Sequence, residues 1–135
     1  MKIKTDFVTN SSSTSFVIIS DGEFNLNDFI EAIGIKNDSK FIDIYEELFY
    51  SFKKDMTPIR EVYHDNRIKY DSFEEFVTKH FWKNGNEILP LILNAESKGK
   101  QVYTGQLNSD NNEVESFFCT DEFIIESNNL YINAQ

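Results

Sequence analysis

The sequence predicts a single α+β domain over residues 1–135. Its core is a mixed or antiparallel sheet of about five strands, with three or four helices packed mainly on one face. Three observations lead there. Short β-branched and aromatic runs stand near both ends of the chain: Phe16-Val17-Ile18-Ile19, then Phe123-Ile124-Ile125 and Leu130-Tyr131-Ile132. Between them, apolar residues recur with helical spacing. No internal repeat and no Pro/Gly-rich linker divides the 135 residues, a length that suits one core. Thirteen Phe and six Tyr supply large apolar areas for that core.

Taken in order, Asp6-Phe7-Val8 and Phe16 to Ile19 read as strands around a polar loop, and Asp21-Gly22 as a turn. Leu26, Phe29, Ile30 and Ile33 share one helix face, with Asn25 as N-cap and Gly34 as the stop. A second helix starts near Asp38 or Ser39 and places Phe41, Tyr45, Leu48, Phe49 and Phe52 on its face. Thr57-Pro58 opens a short helical turn, followed by a turn at Asp65-Asn66. Ser72 and Glu75 form a capping box for a third helix, which Asn84-Gly85 ends. Residues 87–96 are apolar enough for a buried strand or a buried helix. Pro90 favours a helix from near Asn86 to about Ser97. Gln101 to Leu107 alternates as a strand, Glu113 to Cys119 reads as a short helix, and Ser127-Asn128-Asn129 joins a final hairpin.

Two surfaces stand out as candidate sites. The first is Thr9-Asn10-Ser11-Ser12-Ser13-Thr14-Ser15, a run in which every side chain is able to donate or accept a hydrogen bond. Such residues compete with backbone pairing and favour loops. As a concave loop, the run is a candidate phosphate, carboxylate or nucleotide site, with Lys2 or Lys4 adding positive charge. It contains no Gly and no Lys-Ser or Lys-Thr, so it is not a Walker loop. Its hydroxyls are also candidates for phosphorylation, and the plainest alternative is a structural hairpin tip.

The second is the last third of the chain. Lys and Arg total 13 against 23 Asp and Glu, for a net charge of −10. After Lys100 no Lys or Arg occurs, while Asp110, Glu113, Glu115, Asp121, Glu122 and Glu126 do. Phe117 and Phe118 lie among them. Acids with aromatic anchors suit docking onto a basic protein surface, such as a nucleic-acid channel. Asp110, Glu113, Glu115, Asp121, Glu122 and Phe117 are therefore the candidate partner-binding residues. The alternative is an acidic surface kept for solubility.

Residues 4–16, KTDFVTNSSSTSF, resemble an N-terminal signature, roughly K/R-x-DFVTNSSSSSF, of small proteins from low-GC bacteria and their mobile elements. Thr14 departs from the all-serine form but keeps the hydroxyl. The resemblance implies kinship and a mobile-element setting, with no mechanism and no catalytic residues.

Enzymatic chemistry has little support. Cys119 is the single cysteine, so no intrachain disulfide forms, in keeping with a reducing cytoplasm. No spacing fixes a base beside it, and no G-x-S-x-G elbow is present. His64 and His80 lack zinc-ligand spacing, and Asp110 to Glu113 lacks that of a calcium loop. No cofactor is expected. The acidic balance argues against direct nucleic-acid binding, and no apolar run reaches membrane-span length. The leading expectation is a non-enzymatic, cytoplasmic protein that binds a basic partner. Its specific version is a phage or mobile-element inhibitor of a nucleic-acid-targeting defence system such as a CRISPR effector. A ligand-binding module using residues 9–15 is the alternative, and a homo-oligomeric structural subunit is the third class.

Overall fold

The structure is a computed structural model that describes residues 13–36, 38–81, 83–119 and 122–135. In it the run Phe16 to Ile19 lies in strand β1 (Ser13–Ser20), and all four side chains are buried. Strand residues alternate between faces, so an unbroken apolar run means that both faces are covered. Phe16 and Ile18 enter one core, and Val17 and Ile19 enter another on the opposite side.

The elements along the chain are β1, α1 (Leu26–Ile33), α2 (Ile42–Asp55), β2 (Thr57–Pro58), α3 (Ile59–Asp65), α4 (Phe73–His80) and α5 (Gly85–Ser97). β3 (Gln101–Asn108), α6 (Glu113–Phe118), β4 (Phe123–Glu126) and β5 (Leu130–Ala134) follow. The fold is α+β, with one five-stranded antiparallel sheet in the order β2-β3-β1-β5-β4.

The helices are not gathered mainly on one face. α1, α2 and α6 pack on the Phe16/Ile18 side, while α3, α4 and α5 pack on the Val17/Ile19 side. The two-sided burial of β1 explains the difference, because each face needs its own apolar cover. On the first face Phe16 meets Phe52 edge-on at 4.8 Å, and Phe24, Phe29 and Phe49 cluster beside them. On the second, Phe73, Phe76, Phe81, Ile88 and Ile92 pack over Val17, Ile19 and Val102. Arg60 ties α3 to α5, donating to both carboxylate oxygens of Glu96 at 2.8 Å while its guanidinium lies 3.5 Å from the centre of the Phe73 ring.

Local signals explain the helix boundaries. Asn25 caps α1 by accepting from the Asp28 N–H at 2.9 Å, and Gly34 ends it with φ 84°. Ser72 accepts from the Glu75 N–H, while Glu75 reaches back to the Asp71 N–H, one residue before the cap. Three expectations change. α2 begins at Ile42, leaving Phe41 as its cap residue and 61% exposed. Thr57-Pro58 is a two-residue edge strand, and the helix starts after Pro58. Asn84-Gly85 does not end α4. It starts α5, a helix with Pro90 in its second turn on the exposed side.

Gly85 is there for contact. A Cβ on it would lie 2.6 Å from Thr78 Cα and 2.8 Å from the Val77 carbonyl oxygen, so α4 and α5 meet backbone to backbone. Helix propensity alone makes Gly→Ala favourable by up to about 1 kcal/mol. The close approach reverses the sign: Gly85→Ala should lower stability by about 1–3 kcal/mol in urea denaturation. A gain in stability would show that the two helices have room to spare.

His80 gives a second test. It is half-buried, stacked on Phe76 at 5.2 Å and edge-on to Phe81 at 4.8 Å. Burial holds its pKa below the ordinary 6.5. The unfolded chain then takes up a proton that the folded chain resists. The associated stability is complete above about pH 6.5 and is lost as the pH falls from there through the lower pKa of the folded state. Urea melts at about pH 7.5 and about pH 5.5 should show the wild type losing more stability than His80→Phe. Equal losses would place the imidazole in water.

Candidate functional site

The hydroxyl run does not form a loop throughout. Ser13, Thr14 and Ser15 belong to β1, while Thr9, Asn10, Ser11 and Ser12 lie outside the described residues. Thr14 pairs with Leu107 and is buried, its hydroxyl donating to the Cys119 carbonyl at 3.4 Å. Ser15 pairs with Gln106 on one side and exchanges backbone bonds with Gln135 on the other, at 2.9 and 2.8 Å. The single N–H of Ser15 is thus taken by the Gln135 carbonyl and is not available to cradle an anion. Thr14 and Ser15 are therefore sheet residues, which corrects their assignment to a ligand loop.

The acidic third is more informative, and its carboxylates divide into two kinds. Asn112 caps α6 by accepting from the Glu115 N–H at 2.8 Å. The Glu115 carboxylate in turn accepts from the Asn108 backbone N–H and from the Asn111 and Asn112 side-chain amides, at 2.9–3.0 Å. Glu115 is 2% exposed. It holds the β3–α6 turn together and is withdrawn from the partner-facing set. The sequence did carry the signal: Asn112 and Glu115 have the capping-box spacing seen at Ser72 and Glu75.

With Glu115 folded inward, Asp110 and Glu113 remain outside. They line a hollow of about 500 Å³ with Ser109, Asn112, Ser116 and Phe117. Phe117 is 48% exposed and also borders a groove of about 620 Å³. That groove has Ala32, Ile33, Tyr45 and Phe118 on one side and all four residues of β4 on the other, with Glu122 and Glu126 at its polar margin. Aromatic contacts build its floor. Tyr45 lies 6.0 Å from Phe118, and Phe118 lies 5.6 Å from Phe123. Phe117 stands edge-on to Phe118 at 5.1 Å.

The fold thus brings Asp110, Glu113, Phe117 and Glu122 onto one continuous surface, with Phe117 shared by both hollows. Asp121 lies outside the described residues. Sequence reading missed Ala32, Ile33 and Tyr45, which come from α1 and α2. It also missed Lys83, which pairs with Glu122 although 39 positions separate them, so the late acids are not wholly uncompensated.

Cys119 lies with the α1/α2/α6 layer, and His80 with the α3–α5 layer across the sheet, so the fold does not assemble them as a nucleophile and base. Among the described residues no three His, Cys, Asp or Glu side chains are grouped to hold a metal, and no helix is long and apolar enough to cross a membrane. No protein-family model, no curated protein and no solved structure matches the chain.

The Glu115 geometry is directly testable. Glu115→Ala leaves the Asn108 N–H and two amide groups without their acceptor. Stability should fall by about 2–3 kcal/mol, because buried bonds to a charged group are among the stronger ones. Asp110→Ala should change it by less than about 0.5 kcal/mol. Chemical denaturation of both variants checks the contrast, and equal effects would contradict the division into inner and outer acids.

Proposed function

We propose that this chain is a non-enzymatic binding protein that engages a basic protein surface through the ridge around Phe117. One observation carries the reading. A half-exposed aromatic ring sits between two hollows, with Asp110 and Glu113 on one flank and Glu122 and Glu126 on the other. An aromatic anchor buries large apolar area at low cost in side-chain entropy, and flanking charges select partners and speed encounter. The net charge of −10 extends that field beyond contact distance.

The specific version is an inhibitor of a nucleic-acid-targeting defence system such as a CRISPR effector. Two things support it: the cationic character of any nucleic-acid channel, and the mobile-element setting of the signature at residues 4–16.

Immobilised protein should retain a basic protein from a lysate of the source cell and release it as salt is raised. The triple variant Asp110→Lys, Glu113→Lys, Glu126→Lys should retain about tenfold less or lower, with an unchanged melting temperature. Retention indifferent to both salt and charge reversal would end the acidic-docking reading.

A further inference from the structure

The geometry points to β4 as the seat of an added strand: an extended, cationic segment of the partner that bonds to the outer edge of β4 and lays alternate apolar side chains in the adjoining groove. This rests on the acidic-docking reading above and names the form the basic partner takes at the site.

β4 is an edge of the sheet. Among the described residues it pairs only with β5, Phe123 opposite Ala134 and Ile125 opposite Ile132. The hairpin is closed by the Ser127 N–H donating to the Leu130 carbonyl at 2.8 Å. Bonded and non-bonded pairs alternate along an antiparallel ladder. Counting back from Ser127, Ile125 and Phe123 turn their peptide groups toward β5. Ile124 and Glu126 turn theirs outward, and among the described residues no strand takes them.

The two edges of the sheet are unlike. β2 is two residues long, and one of them is Pro58, which has no N–H to offer. β4 has neither Pro nor Lys, and Ile124 stands 59% exposed on it. Such an edge is a template for another strand.

The groove follows this edge. Successive strand residues point to opposite faces, so a hollow bordered by Phe123, Ile124, Ile125 and Glu126 in succession runs along the backbone itself. Its floor is aromatic and aliphatic, and among the described residues no Lys or Arg lines it. Glu126 remains for a cation, while Glu122 is shared with Lys83. A strand alternating Lys or Arg with apolar residues matches both edge and groove, since main-chain bonds supply affinity and alternate side chains supply selectivity. A second copy of the chain is the poorer occupant, because it brings another net charge of −10 to the same edge.

Amide hydrogen exchange, followed by NMR on the whole protein, tests this. The probes are a peptide of about eight residues alternating Lys with Val, and the same peptide N-methylated at every residue, which keeps its charge but has no backbone N–H on either edge to give to a ladder. The first should slow exchange at Ile124 and Glu126 by about tenfold or more while leaving Phe123 and Ile125 unchanged. The second should bind about tenfold more weakly or worse, as should the first peptide to Ile124→Pro, which removes an outward N–H. Equal binding of the two peptides overturns strand addition while leaving the acidic-docking reading intact. Binding of neither also overturns it, and lysate retention then decides the broader reading separately. Slow exchange at Ile124 and Glu126 without peptide overturns it as well. If that protection rises with protein concentration a second copy covers the edge, and if it does not, the chain's own residues do.

Discussion

Phe16, Val17, Ile18 and Ile19 point alternately to the two faces of the sheet, and every one is out of water. Full burial of each such side chain is worth roughly 1.5–3 kcal/mol, and it is realised only if both faces are covered. β1 is also central, bonded to β3 on one edge and β5 on the other. A strand in that position obliges the chain to supply two separate helical layers, one from α1, α2 and α6 and one from α3, α4 and α5. Other close contacts follow from the same crowding. Gly105, opposite Phe16, leaves room for that ring and for the Asp55 carbonyl: a Cβ there would lie 2.6 and 2.7 Å from them. Asp55, at the end of α2, then accepts the Gln106 N–H at 2.6 Å and anchors the helix to β3.

The candidate docking surface forms where this packing stops. α6 is short and sits beside β3, with Phe118 turned in toward Tyr45 and Phe123 and its neighbour Phe117 left half outside. Adjacent helix residues point about 100° apart, so a Phe-Phe pair on a one-sided helix must expose one ring. β4 ends the sheet on the same side. The result is an aromatic floor, a strand edge and a margin of carboxylates in one place.

Carboxylates serve two purposes within one short stretch. Glu115 is enclosed by three N–H donors and fixes the turn into α6. Asp110 and Glu113 lie on the same turn, exposed, and shape the field outside the molecule. The first use lowers the cost of burying a charge, which is large without partners. The second keeps charges in water, where they act over a Debye length.

Much of the architecture is legible in the residues themselves. Helices at Leu26–Ile33 and Phe73–His80, the strand at Gln101–Asn108 and the final hairpin announce themselves through spacing, caps and turn residues within a few positions of each other, whereas Gly85–Ser97 reads as strand or helix until Pro90 is weighed. The acidic, aromatic character of the last third is equally plain. Other features depend on neighbours distant in the chain: the use of both sheet faces, Gly85 as a contact between helices, the internal role of Thr14, the pairing of Glu122 with Lys83, and the share of Ala32, Ile33 and Tyr45 in the groove. Element type is set by local backbone and side-chain preference, which a sequence displays directly. Burial, partner choice and the identity of an open edge are set by which surfaces meet in space, and only the folded chain decides that.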